Sequence, residues 1–133
     1  MKFLNIAAVI MLFSALTVQA QLSVTVSSVE AKGNKAVVKL AFRNNMTNAV
    51  ESARATVRLA DGKDFLGTET KWVIGRERNA SGLAPGATNT FFFVITSEKP
   101  LPKTDLTASV IFNRIVLAGG KLGDPVKDVK ISE

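Results

Sequence analysis

A glycine-rich segment near the end of the chain has residue types that could bind phosphate. Ala118 to Gly123 places Lys121 directly after a pair of glycines, as phosphate-binding loops do. Such a loop also needs an earlier glycine at a fixed spacing and a serine or threonine directly after the lysine. Leu122 stands at that position, and no helix pattern follows. We therefore interpret this segment as a turn.

A second segment could bind a cation through carboxylates. Asp61 and Asp64 flank Gly62 and Lys63, so two acidic side chains lie three positions apart. Calcium requires about six to eight oxygen ligands, which this short segment does not provide. An Asp-Gly pair between alternating apolar runs is instead a strong hairpin signal. The sequence thus predicts a turn here.

Three consecutive aromatic residues could form a stacking or protein-contact surface. Phe91, Phe92 and Phe93 continue without a break into Val94 and Ile95. Because side chains alternate between the two faces of a strand, this run places aromatic rings on both faces. An unbroken apolar run is typical of a central strand that is covered on each side. We predict that arrangement, and we predict that Trp72 is likewise a core residue rather than a ligand platform.

Basic residues could form an anion-binding surface. The chain has 17 Lys and Arg against 11 Asp and Glu, for a net charge of +6. An anionic glycan or a lipid head group could bind such a surface. Acidic residues are interspersed, so outward basic side chains that keep the sheets soluble explain the pattern too, and we favour that role. The candidate basic surface consists of Lys39, Arg43, Arg54, Arg58, Arg76 and Arg78.

The amino-acid composition excludes several kinds of catalysis. The sequence contains no His, no Cys and no Tyr. Ser-His-Asp and Cys-His devices are therefore impossible, and zinc and copper lose their usual ligands. The carboxylates are scattered among turns and termini rather than paired for acid–base work. We predict a protein that is not an enzyme and needs no cofactor.

The elements that carry these residues are predicted to be β-strands. Apolar residues alternate with polar ones from Leu22 to Ser27, from Ala36 to Arg43, from Ala53 to Leu59 and from Leu106 to Asn113. A period of two is the signature of half-buried strands, and no stretch shows a helical period. The alternation shifts at Ser28-Val29, which indicates a bulge. Further strands are predicted from Phe65 to Ile74 (one or two), from Thr90 to Thr96 and from Val126 to Ile131.

These strands predict an all-β fold. Seven or eight short strands with Gly, Pro and Asn turns favour an immunoglobulin-like β-sandwich, with a single closed sheet as the alternative. Residues 21–133 are enough for one domain that folds on its own core. Without cysteine, packing alone must stabilise it.

The first twenty residues have the layout of a secretory signal peptide. A positive start at Lys2 precedes an apolar run from Phe3 to Val18, and small residues precede a cleavage point between Ala20 and Gln21. The run is shorter than the roughly 20 apolar residues of a spanning helix. We predict cleavage, export to the periplasm or the medium, and no transmembrane span in the mature chain. Loss of Lys2 then lowers the net charge by one.

The middle of the chain resembles the FxLYD-type domains of bacterial exported proteins. The similarity covers residues 34–96: a strand that ends in Asn44-Asn45, a strand that ends in Asp61-Gly62, and the turn Leu83-Ala84-Pro85-Gly86 before Phe91. Ala60 stands where the family has tyrosine. The resemblance implies an immunoglobulin-like or fibronectin-III-like module and carries no catalytic residues. Fold and compartment are what it implies, and function stays open.

Two functions fit these observations. The first is a non-catalytic interaction module of the cell envelope that binds another protein through loops or an exposed sheet edge. The alternative is an electrostatic binder of an anionic envelope polymer or a lipid surface. We do not expect nucleic acid to be the partner.

Overall fold

A computed structural model describes residues 20–75, 81–102 and 105–132 of the chain. The predicted signal peptide lies outside the described residues except for Ala20, and so do Arg76 and Arg78. Within these three ranges, no helix has the length and apolar character that crossing a membrane would require.

The described residues form eight strands in two sheets. One sheet has the strand order β5-β2-β1-β8 and the other has the order β4-β3-β6-β7. The strand bounds are β1 (Leu22–Lys32), β2 (Lys35–Asn44), β3 (Val50–Asp61), β4 (Asp64–Ile74), β5 (Thr88–Thr96), β6 (Leu106–Leu117), β7 (Lys121–Leu122) and β8 (Val129–Ser132).

The connections give this sandwich an immunoglobulin-like topology. The chain changes sheets between β2 and β3, β4 and β5, β5 and β6, and β7 and β8, while β1–β2 and β3–β4 are hairpins within a sheet. Strands β1, β2 and β5 correspond to A, B and E of an immunoglobulin domain, and β3, β6 and β7 correspond to C, F and G. Strand β8 returns to pair in parallel with β1. The predicted all-β sandwich is confirmed.

Alternation along the strands builds the core between the two sheets. In β2, Ala36, Val38, Leu40 and Phe42 are buried, while the residues between them face outward. The rings of Phe42 in one sheet and Phe112 in the other meet edge to face with centroids 6.3 Å apart. Such aromatic contacts add about 0.5–1.5 kcal/mol to the stabilisation that burial provides.

Two predicted turns and one predicted bulge are confirmed. The pairing of β1 with β2 shifts between Val26 and Ser28, where the alternation of the sequence slips. Asp61 and Asp64 are strand partners in the β3–β4 ladder, at the tip of the predicted hairpin. Of the turn predicted from Ala118 to Gly123, the Ala118–Gly120 part is a short 3-10 turn, whereas Lys121 and Leu122 form the two-residue strand β7.

One prediction about β4 needs correction. Of the one or two strands predicted between Phe65 and Ile74, the structure has one, a continuous strand of 11 residues. Trp72 is half-buried and lies opposite Arg54, whereas Val73 and Ile74 fill the core. A register shift between Ala53 and Arg54 changes which side chains of β4 face inward, so the prediction of a core tryptophan was wrong.

The final predicted strand starts later than expected. The Asp124 Oδ1 accepts the backbone N–H groups of Val126 at 2.8 Å and Lys127 at 3.1 Å, which holds both residues in a turn. Strand β8 therefore begins only at Val129. The N–H groups of Lys127 and then Val126 hold the pKa of Asp124 below its ordinary value of 3.8.

Asn44 fastens the end of β2 inside the core. Its side chain is fully buried, and its Nδ2 donates to the carbonyls of Asn48 at 2.9 Å and Leu83 at 3.0 Å. Its Oδ1 accepts the N–H of Met46 at 2.9 Å. The Asn44 amide thus satisfies backbone groups in two loops. It holds the loop between β2 and β3 against the segment that leads to β5.

Candidate protein-binding edge

Each sheet of the sandwich ends in two edge strands, and three of these four edges are protected. Strand β7 has two residues and β8 has four, so neither offers a long template for pairing. Strand β4 is long, but it carries Asp64, Glu69 and Lys71. Glu69 and Lys71 lie opposite the buried residues Val57 and Ala55. Residues directly opposite each other lie on the same face of a sheet, so both charges are on the face of β4 that is directed towards the core. Inward-phase charges are one of the devices by which natural sheets prevent edge pairing.

Strand β5 has no such protection. Its nine residues include no charged residue and no proline. All nine pair with β2 in one continuous register, from Thr88 opposite Arg43 to Thr96 opposite Lys35. A long, regular, uncharged edge is the kind of strand to which another chain can add.

The hydrogen bonds of β5 show which of its backbone groups face away from β2. The N–H of Ser97 donates to Asn34 at 2.7 Å, and the N–H of Asn44 donates to Ala87 at 3.0 Å. Both bonds fit an antiparallel ladder in which the odd-numbered residues of β5 bond to β2. The even-numbered residues therefore direct their N–H and C=O groups to the open edge. They are Thr88, Thr90, Phe92, Val94 and Thr96.

One end of this edge is partly covered by β4. The carbonyl oxygen of Thr96 lies 3.4 Å from the position that a Cβ atom on Gly67 would occupy, and a Cβ there would also touch Ile95. Gly67 thus lets β4 approach β5 closely at this end. The section from Thr88 to Val94 is the uncovered part of the edge, although the Thr90 N–H in it already donates to the Asn89 Oδ1 at 2.8 Å.

The outer face beside this edge is apolar. Phe92 is 56% exposed and Val94 is 50% exposed, and Val37 of β2 lies opposite Val94. The Lys39 Nζ lies 5.8 Å from the centre of the Phe92 ring. Only Phe93 of the aromatic triplet is fully buried, while Phe91 is partly buried against it. The prediction of a central strand covered on both faces was therefore wrong.

Two open depressions border the edge. One, of about 440 Å³, lies on the outer face of the β5-β2-β1-β8 sheet and is lined by Thr25, Ala41, Arg43 and Thr90 among others. The other, of about 890 Å³, lies where the β3–β4 hairpin meets the segment after β5. Charges of both signs line it, including Asp61, Lys63, Glu98 and Lys99.

The four predicted basic residues that the structure describes do not come together in one patch. Lys39 and Arg43 lie on the outer face of the β5-β2-β1-β8 sheet, where the Arg43 Nε donates to Asn45 at 3.0 Å. Arg54 and Arg58 lie on the outer face of the other sheet, and the Arg58 guanidinium lies 4.8 Å from the centre of the Phe65 ring. The two pairs therefore face opposite sides of the molecule.

Strand pairing adds an arginine that the sequence analysis did not single out. Arg114 of β6 lies directly opposite Arg54 of β3, and both are exposed. Like charges opposite each other in a ladder are destabilising. Arg54, Arg58 and Arg114 form a cationic strip on the outer face of the β4-β3-β6-β7 sheet. Only the register could have revealed it.

No constellation for bond-making chemistry is found in the described ranges. Among residues 20–75, 81–102 and 105–132, no three carboxylates come close enough together to hold a metal ion. In these same ranges, no buried side-chain nitrogen or oxygen lacks a hydrogen-bond partner. The arrangement at β5 is suited to binding through backbone groups and apolar contact.

Comparisons with known proteins establish similarity of fold. No protein-family model matches the chain, and no curated protein matches it in sequence. Its structure is similar to IrmA from Escherichia coli, with a TM-score of 0.56 and 14% identity over 86% of this chain and 93% of that one. It is also similar to ApaA from Bordetella pertussis, with a TM-score of 0.51 and 17% identity over 78% of this chain and 87% of that one. At these identities the likeness shows the fold alone.

Proposed function

We propose that this protein is an exported, non-catalytic binding module that holds a partner protein by adding one of the partner's strands to β5. The observation that supports this most strongly is the contrast between the sheet edges. Charges or short length protect β4, β7 and β8, whereas β5 offers nine uncharged residues in unbroken register. Strand addition gives affinity through the backbone and selectivity through alternate side chains.

The energetics of the free section fit a reversible complex. Phe92 and Val94 each present one free donor and one free acceptor, whereas Thr90 presents only its acceptor, because its N–H already donates to the Asn89 Oδ1 at 2.8 Å. The five available hydrogen bonds, at about 0.5–1.5 kcal/mol each, contribute about 2.5–7.5 kcal/mol before the cost of association. Burial of the half-exposed Phe92 and Val94 side chains adds to this.

The contacts at the start of the sandwich are compatible with cleavage after Ala20. The Gln21 side chain donates to the carbonyl of Lys127 at 2.8 Å, and the N–H of Leu22 donates to Asp128 at 2.8 Å. These contacts would all remain in a chain that begins at Gln21. They support the proposal of a leader that is removed and a mature domain in the periplasm or the medium, as the resemblance to FxLYD-type domains also implies.

Capture experiments with edge variants test the protein-binding role. Proline at position 94 removes a free outward N–H without removing a bond to β2. Proline at position 90 also leaves the bonds to β2 intact, but it removes the N–H that donates to Asn89 and places its ring on the open edge. We expect immobilised wild-type protein and the matched control Thr90→Ala to retain the same envelope proteins. Thr90→Pro and Val94→Pro should lose them. Equal retention by all four forms would show that β5 is not the binding edge.

A second candidate function is binding to an anionic glycan or lipid surface through the cationic strip. Arg54 and Arg114 face each other without a carboxylate partner in the described part of the chain, so both can bind external anions. Arginine pairs well with carboxylate and phosphate groups. We expect retention on heparin and on anionic vesicles to fall in Arg54→Ser/Arg114→Ser but not in Arg43→Ser. Elution of wild-type protein below physiological salt would reject this candidate, because non-specific ion pairing is screened.

A further inference from the structure

The backbone groups of β5 that face outward are arranged symmetrically about one residue. Thr90, Phe92 and Val94 face the open edge at alternate positions, and Phe92 is the middle one. The next even-numbered positions, Thr88 and Thr96, are at equal distances on either side. An antiparallel pair of two such strands, with the two-fold axis at Phe92, would therefore satisfy the same groups on both copies.

We propose that a second copy of this chain pairs with β5 in an antiparallel register that places Phe92 opposite Phe92 of the partner copy. Thr90 of each copy then lies opposite Val94 of the other. The inference rests on the open edge that the proposed function uses. The β5-β2-β1-β8 sheets of the two copies join into one continuous sheet of eight strands. The second copy covers the β5 edge until a strand of the partner protein displaces it.

The side chains of this register complement each other. The half-exposed Phe92 rings meet as an aromatic cross-strand pair, and each Thr90 meets a β-branched Val94. Such pairs stabilise a sheet, and no charge on either strand opposes a like charge. Lys39, which lies opposite Phe92 in β2, already lies over the Phe92 ring within its own copy. A foreign strand would have to supply a matching neutral pattern, whereas this chain provides its own.

The area of contact predicts a weak dimer. One edge strand per copy gives a small interface, below about 1,200 Å² in total, which is typical of transient association. The close approach of Gly67 to Thr96 restricts the outermost pairs, and the Thr90 N–H already donates to Asn89. The four bonds donated by Phe92 and Val94 of the two copies therefore carry the association. A dimer of this kind exchanges readily and leaves β5 accessible to a partner protein.

Because the native chain has no cysteine, single cysteines can test this register. In the proposed register the two Cα atoms at position 92 lie about 5.5 Å apart, within the range that a disulfide spans. The two Cα atoms at position 90 lie about 14 Å apart along the strands, which a disulfide cannot span. We expect oxidation to link Phe92→Cys into dimers and to leave Thr90→Cys and Val94→Cys monomeric. An equimolar mixture of Thr90→Cys and Val94→Cys should become linked.

Sedimentation of the cysteine-free protein is the second measurement, because the cysteine at position 92 removes the aromatic pair. The mean mass of the wild-type protein should rise towards a dimer with concentration, while Val94→Pro, which lacks one free outward N–H per copy, stays monomeric. A wild-type protein that stays monomeric, or equal linking at positions 90, 92 and 94, would overturn the dimer. If the dimer were overturned in this way but Val94→Pro still lost the captured envelope proteins, the proposed function would stand without the dimer. If the wild-type protein formed the dimer but the proline variants retained the captured envelope proteins, the proposed function alone would be overturned.

Discussion

Replacement of Asn44 by alanine tests how the polar core of the sandwich contributes to stability. The Asn44 side chain is fully buried and makes three hydrogen bonds, to Met46, Asn48 and Leu83. Asn44→Ala removes all three. The Leu83 carbonyl keeps the N–H of Val50 at 2.9 Å as a donor. The Met46 N–H and the Asn48 carbonyl lose the amide that satisfied them.

The expected cost follows from these two groups. A buried donor or acceptor left without a partner costs about 1–3 kcal/mol, and the more exposed Asn48 carbonyl can recruit water. We therefore expect Asn44→Ala to lower the free energy of unfolding by about 2–4 kcal/mol. Asn45→Ala is the matched control, because the Asn45 side chain is exposed and bonds only to Ser23 and Arg43. Its cost should stay within about 0.5 kcal/mol, as for other surface changes.

Urea unfolding followed by far-ultraviolet circular dichroism measures both costs. A third variant, Asn44→Asp, places a carboxylate against two carbonyl oxygens, which raises the pKa of the new carboxyl group. Its stability should therefore increase as the pH falls and the carboxyl group becomes a donor, opposite to the usual acid response. Equal stability of Asn44→Ala and Asn45→Ala would refute the role of the buried amide.

Three further predictions concern turns and processing. Gly75→Ala should destabilise by more than about 2 kcal/mol in the same assay, because φ is +63° and a Cβ would overlap the Glu51 carbonyl; Gly33→Ala, with the same φ but open space, should cost only about 1 kcal/mol. The Asp124 carboxylate should release the two N–H groups it accepts as the pH falls through its lowered pKa, which an amide chemical-shift titration would show and Asp124→Asn would abolish. Intact mass of the exported protein should correspond to a chain that begins at Gln21, and a mass that retains the first twenty residues would contradict cleavage.

The local pattern of the sequence was enough to predict most strands. Alternation predicted β2, β3 and β6, because each has one face on the core and one in solvent. The slip at Ser28 and the Asp61-Gly62 turn were equally visible, since bulges and hairpins have local signatures. Bulges and hairpins are determined by residues that are adjacent in the sequence, so one sequence is enough to predict them.

The candidate site could not be predicted in this way. Whether Phe92 is covered depends on whether a strand lies beyond β5, and the strand order of a sheet is a property of the whole fold. The position of Trp72 depends on a register shift in the neighbouring strand, and the Arg54–Arg114 pair depends on the register between β3 and β6. Apolar runs predict burial, but they do not distinguish a central strand from an edge strand.

Amide hydrogen exchange along β5, resolved by residue and measured on dilute protein, tests the free edge most directly. The amides of Phe91, Phe93 and Ile95 bond to β2 and should exchange slowly, whereas those of Phe92 and Val94 should exchange close to the rate of an unstructured chain. The Thr90 amide is not used in this comparison, because it donates to the Asn89 side chain. Uniform protection across positions 90–95, or slow exchange at the even positions instead of the odd ones, would contradict an edge that is open to a partner's strand.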